Sequence, residues 1–255
     1  MSTRWFWLAL CAALFLGGCA SDGLGGSMMG QSSEKAKKAA ELQVQLAQEY
    51  LKRGDLEVAR DKLIRALELD PYSAQAHTLS GFLNETIKEY VQAELHYRRA
   101  VELRPKDGDM SNNYGSFLCK QARYDEAEAM FQRAFADPYY KTPEVALTNA
   151  GICAKDGGHL EQGEAYLREA LDRSPNFGPA LLPMASVLYA RKDFLRARAF
   201  IERYDAANPA NPEALYLGLQ IEQALGDERS VEDYRRRLLS GFPRSREAQS
   251  LEQRE

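Results

Sequence analysis

Side chains able to do chemistry are few in this chain, and they are scattered. Its 255 residues hold four cysteines (Cys11, Cys19, Cys119 and Cys153) and three histidines (His77, His96 and His159). None of the histidines has a cysteine or second histidine at the short spacing that brings two ligands to one metal. There is no nucleophile elbow, no HExxH helix and no phosphate-cradling glycine loop. Gly157-Gly158 lacks the Lys-Ser/Thr that would follow in such a loop and is read as an interhelix turn. Carboxylates are numerous but spread over exposed helical positions. The chain is therefore read as a non-enzyme with no cofactor, no metal and no small-molecule substrate. A formal net charge of −4 argues against nucleic acid, because a phosphate-binding face pushes the balance positive. The short cluster Arg235-Arg236-Arg237 is read as a solvated helix face.

What remains is a binding surface, and a repeat supplies it. Prolines fall at Pro71, Pro105, Pro175, Pro209 and Pro243, in steps of 34, 70, 34 and 34, where the 70 divides into 34 plus 36. A period of 34 marks helix–turn–helix units of the tetratricopeptide kind, which these residues resemble. Small residues recur where two helices must approach. They are Ala47, Gly81, Gly115, Gly151 and Ala185 in the first helix, and Ala59, Ala93, Ala127, Gly163 and Ala197 in the second. Leu63, Tyr97, Phe131, Leu167 and Ile201 follow four places later on the same face and fill the space between helices. The fold class is all-α: a right-handed superhelical solenoid of six units over residues 34–243. A polar capping helix follows over 244–255. The sixth unit reads as degenerate, with Leu219, Val231, Arg235 and Leu238 at four of the pattern positions, as suits a terminal repeat. Pro183 falls inside the first helix of the fifth unit and predicts a kink or a late helix start.

The first 18 residues read as a leader rather than as fold. A short basic start, Met1 to Arg4, precedes the apolar run Trp5 to Leu16, which at 12 residues is too short to span a bilayer. It ends in Leu16-Gly17-Gly18-Cys19, which resembles the lipobox of bacterial lipoproteins. The resemblance implies cleavage before Cys19 and acylation of its thiol, and with Ala20 following it implies the outer membrane, periplasmic face. Acyl chains at one cysteine exceed the marginal hold of a single chain. Residues 19–33 are rich in Gly and Ser and read as a flexible tether. After processing, Cys119 and Cys153 remain as a pair in the first helices of adjacent units. In an oxidising compartment a disulfide is one reading, and two buried thiols acting as small hydrophobes is the other.

Stacked helix pairs curl, and the first helix of each pair lines the concave side. Residues two, five, nine and twelve of each unit are expected to face that groove. In the first three units these are Glu41, Val44, Gln48, Leu51, Gln75, Thr78, Phe82, Glu85, Asp109, Asn112 and Ser116. Val44, Gln48, Leu51, Thr78, Phe82, Glu85, Asn112 and Ser116 are the candidate partner-binding residues. The apolar Val44, Leu51 and Phe82 suit an amphipathic helix or an extended segment. Asn113 and Asn149 are read as mainly structural.

The segments Asn112-Asn113-Tyr114-Gly115-Ser116-Phe117-Leu118-Cys119, Tyr139-Tyr140-Lys141-Thr142-Pro143-Glu144 and Asn149-Ala150-Gly151-Ile152-Cys153, with the lipobox and six units, resemble the type IV pilus biogenesis/stability lipoproteins. That resemblance implies a monomeric pilotin that binds the pilus secretin, and other pilus-assembly proteins with it, and that promotes secretin localisation and multimerisation and hence twitching motility. Two other readings stay open. One is a repeat lipoprotein of the outer-membrane barrel assembly machinery, and the other is a scaffold for cell-wall hydrolases.

Overall fold

The computed structural model describes residues 25–252, and all of its regular structure is helical. The leader and Cys19 lie outside the described residues. The first unit pairs α1 (Gly25–Arg53) with α2 (Leu56–Leu69), and the second pairs α3 (Ala74–Thr86) with α4 (Tyr90–Leu103). The third and fourth comprise α5 (Gly108–Lys120) with α6 (Tyr124–Phe135), and α7 (Pro143–Asp156) with α8 (Leu160–Arg173). The fifth and sixth comprise α9 (Gly178–Ala190) with α10 (Phe194–Ala207), and α11 (Pro212–Leu225) with α12 (Glu228–Gly241). A short α13 (Arg246–Glu252) packs on α11 and α12, burying Ala248, so the expected polar cap is in place.

Each pair is turned by one left-handed residue: Gly54, Lys88, Ala122, Gly158, Lys192 and Gly226, with φ between 57° and 85°. Its N–H bonds back three residues and the next N–H bonds back five, as in Gly54 to Leu51 O and Asp55 to Tyr50 O. These bonds satisfy carbonyls that the ending helix would otherwise orphan. Just inside each turn the helices touch through the small residues. Ala59, Ala93, Ala127 and Ala197 are fully buried, and Leu63, Tyr97, Phe131, Leu167 and Ile201 fill the layer beside them. Burying such side chains contributes about 1.5–3 kcal/mol each, and it is repeated from unit to unit.

Two expectations are corrected and a third is narrowed. The helix α1 begins at Gly25, so the backbone of 25–33 is helical rather than a flexible coil. Only three of those nine residues are glycine, and a helix already nucleated downstream extends at little cost. The sixth unit is less degenerate than a strict count of 34 implies. Gly218 packs under Tyr234 as Gly81 packs under Tyr97, which places its register one residue earlier than Leu219 and Arg235. The helix α9 starts at Gly178 and runs through Pro183, so there is no late start.

Within the described residues, the backbones of first helices approach those of the neighbouring first helices (α1 with α3, α3 with α5, α5 with α7, and onward), whereas the backbones of second helices stay apart and side chains alone join them, as Gln132 with Tyr166, Arg196 with Glu164 and Arg237 with Asp205. The first helices therefore crowd the inner side of a curved stack, and α2, α4, α6, α8, α10 and α12 form its outer side. No helix of the described residues is long and apolar enough to cross a membrane.

Candidate partner-binding surface

The inner face of the first units is less open than the sequence implies. Val44 is buried with Ala66 and Ala76, so it belongs to the core between α1, α2 and α3. Thr78 is buried, and its one hydroxyl proton has Ala74 O and the Met110 sulfur as acceptors within reach. Asn112 is buried and accepts from Asn149 Nδ2 at 3.0 Å, tying α5 to α7. These three are corrections. Their position faces the next first helix, and neighbouring first helices stand close enough to cover it. Leu51 is half-buried against the cluster of Ala47, Leu63 and Leu83. Ser116 is half-buried, and its Oγ has no hydrogen-bond partner. Glu85 accepts from Tyr97 Oη at 2.9 Å and from Lys120 Nζ at 2.7 Å, so it braces the second unit against the third. Burial first, then the Glu85 carboxylate, pushes the Tyr97 phenol well above its ordinary range. Of the eight candidates, only Gln48 and Phe82 are exposed on the wall, Phe82 at 46%.

The open apolar surface lies mostly elsewhere. Among the described residues ten large apolar side chains are exposed, and eight of them (Leu42, Val58, Ile64, Tyr72, Phe82, Tyr90, Val91 and Leu95) fall in the first two units. Ile64, Val91 and Leu95 belong to the outer helices α2 and α4. Between those helices lies a cleft of about 360 Å³ floored by Leu63, Ser80, Leu83 and Asn84, with Ile64 and Leu67 on one side and Gln92 and His96 on the other. Arg60 and Glu89 rim it, 3.9 Å apart. The sequence signal was available: apolar residues at outer second-helix positions that the pair itself does not need.

The structure also joins two histidines that the sequence treats as separate. His77 Nδ1 lies 3.0 Å from His96 Nδ1, across α3 and α4. His77 Nε2 lies 3.2 Å from Pro71 O. A carbonyl only accepts, so the His77 proton sits on Nε2, its Nδ1 accepts, and His96 Nδ1–H donates. Burial lowers both pKa values. The Arg99 charge lowers His77 further against the opposing bond to Pro71, and His77 itself lowers His96. Among the described residues no group of three or more metal-ligating side chains forms.

Seams between units are tied by charge. Glu164, whose side chain is 5% exposed, is bonded by Arg168, Arg191 and Arg196. Burial alone would raise its pKa, and the bonds from Arg168 and Arg196 outweigh that to leave it lowered. Glu222 is similarly buried against Arg198. Between α5 and α7 the structure pairs Cys119 with Cys153, Cα atoms 5.6 Å apart, a separation suited to a disulfide.

Comparison with known proteins agrees with this architecture. Residues 44–108 and 89–141 match one tetratricopeptide repeat model, and residues 156–221 match another. The type IV pilus assembly protein PilF of Pseudomonas aeruginosa is 28% identical over 245 residues, covering 96% of each chain. The crystal structure of PilW, a widely conserved type IV pilus biogenesis factor, superposes with a TM-score of 0.79 at 31% identity, covering 83% of this chain and 97% of that one. A solved structure of Pseudomonas aeruginosa PilF gives 0.76 at 28% identity, covering 87% of this chain and 100% of that one. A six-unit solenoid and likeness running nearly end to end place the chain in the tetratricopeptide repeat family of type IV pilus biogenesis proteins that includes PilF and PilW.

Proposed function

We propose that this protein is a pilotin. It is acylated at Cys19, held at the periplasmic face of the outer membrane, and binds subunits of the pilus secretin to promote their localisation and multimerisation. The observation that carries the reading is the gathering of exposed apolar side chains on the first two units, at the end of the stack nearest the anchor. Exposed apolar side chains concentrated at one end of a stack suit a site for another protein. The cleft between α2 and α4 takes an apolar side chain of the client. Its polar rim, Arg60, Glu89 and Gln92, bonds the client backbone beside it. A permanent anchor keeps captured subunits near their destination and raises their effective concentration with no new contact. In an oxidising periplasm Cys119 and Cys153 form a disulfide that fixes the middle of the array.

Deleting the gene tests the reading. The expected result is loss of heat- and detergent-resistant secretin multimers from outer membranes with other barrel proteins unaffected. Normal multimers at normal abundance would end it. A broad loss of barrel proteins, or co-purification with cell-wall hydrolases in place of secretin, would point to a different client. Ile64→Asp with Leu95→Asp is expected to retain the helical spectrum and the melting temperature while abolishing co-purification of the secretin.

A further inference from the structure

The fold brings His77 and His96 together from positions 19 apart in the chain, and it leaves His159 alone at the start of α8. The two rings belong to facing helices of the second unit, at one end of the cleft between α2 and α4. His96 lines that cleft one turn after Gln92 on α4, and His77 lies one turn before Ser80 on α3; Gln92 and Ser80 line it too. Arg60 and Glu89 mark the opposite end.

His77 Nδ1 and His96 Nδ1 stand 3.0 Å apart, with ring centres 5.2 Å apart and ring planes 39° apart. A proton holds that point, donated by His96. Both rings are half-buried, which favours their neutral form. His77 Nε2–H donates to Pro71 O at 3.2 Å, which keeps the His77 proton on Nε2 and leaves a lone pair on Nδ1 directed at His96. A carbonyl that takes the second ring N–H is the outer-shell contact that sets the tautomer of metal-binding histidines.

The separations also fit a metal. An ion about 2.0–2.1 Å from each nitrogen at a tetrahedral angle needs the nitrogens about 3.3 Å apart and the ring centres about 5.2 Å apart. The pair meets both separations to about 0.3 Å, so turning the rings in place aims both lone pairs at one point. The Arg99 charge acts on His77, but that guanidinium is itself paired with Glu102 at 3.2 Å.

We propose that His77 and His96 form a two-histidine site for a borderline divalent ion, zinc or copper(II), at the end of the cleft between α2 and α4. As the ion takes the place between the two Nδ1 atoms, His96 carries its proton on Nε2 instead, so no net proton is released. Imidazole nitrogen suits zinc and copper, whereas magnesium and calcium take oxygen. With two protein ligands, the rest of the shell is water or a donor from whatever fills the cleft. An ion held there ties α3 to α4 and places positive charge at the foot of the cleft. The site stands on those two helices alone and needs neither the anchor at Cys19 nor a secretin client.

The full acylated chain, without a histidine tag, is purified in detergent, stripped with chelator and titrated with zinc chloride by calorimetry. One ion per chain is expected, with copper(II) bound more tightly than zinc. His77→Gln and His96→Gln are each expected to weaken zinc binding by roughly tenfold or more, and His159→Gln to leave it unchanged. Should a glutamine variant fail to fold, the unaltered chain decides: the paramagnetic resonance spectrum of its copper(II) form is expected to show splitting from two histidine nitrogens. No uptake at about 1 mM zinc, uptake that both glutamine variants retain in full, or a copper spectrum with fewer than two histidine nitrogens overturns the site.

Discussion

Replacing Gly163 with alanine should destabilise the protein, although the same change in an open helix stabilises it. The reason lies between α7 and α8, the one pair with glycine on both sides of its contact, Gly151 and Gly163. A Cβ at position 163 would stand 2.9 Å from Gly151 O and 3.3 Å from Lys155 N, both backbone atoms. Side chains can rotate away from such a contact, but here two helices must separate. Helix propensity returns about 1 kcal/mol for Gly→Ala. Overpacking against backbone costs about 2–3 kcal/mol, the upper part of the usual range. The net is a loss of about 1–2 kcal/mol, or a fall of about 3–6 °C in Tm for a body of this size. Circular dichroism melts of the purified protein read it. Gly241→Ala is the control: a Cβ there meets nothing within 4 Å, and a gain of roughly 0.5 kcal/mol is expected. Gly163→Ala melting as high as Gly241→Ala would refute the close-contact argument.

Two further outcomes follow from paired side chains. His77 and His96 have folded pKa values below the unfolded value near 6.5. The unfolded chain therefore binds protons first, and stability falls as pH drops through about 6.5 toward the folded values. His96→Gln should flatten that fall in urea titrations at a series of pH values, and an unchanged slope would show that the pair does not titrate in this window. Reducing the Cys119–Cys153 pair, which closes a span of 34 residues, should lower stability by about 3–4 kcal/mol in the chain-entropy model. Urea midpoints with and without reductant check it, with Cys119→Ser as the insensitive reference.

Much of the fold was legible because the repeat reports the same contact again and again. Ala59, Ala93, Ala127 and Ala197 are small where helices cross, and all four are fully buried. The sixth unit was harder. Its contact slid by one residue to Gly218 and Tyr234, a shift the proline spacing does not record. The candidate site was legible only in part. Counting positions on one helix finds Phe82, yet it cannot tell Val44, Thr78 or Asn112 from wall residues, because the next first helix covers them. Nor does spacing along the chain bring His77 to His96. They meet because α3 and α4 lie antiparallel with both rings on the facing side. Ile64, Val91 and Leu95 were visible as apolar letters, but their exposure depends on the outer helices standing apart.

The order of contacts along the stack has a mechanical consequence. No helix of the described residues touches one beyond the neighbouring unit, so a load applied at the free end passes through every junction in series, and their compliances add. Crowded inner helices resist compression, while the outer helices, joined only by side chains such as Tyr166 with Glu128 and Arg196 with Glu164, part more easily. Flexing is then easiest in the plane of curvature and stiffest where Cys119 meets Cys153. Such a body behaves as a leaf spring clamped at its middle, able to yield to the shape of a bulky partner without any unit unfolding.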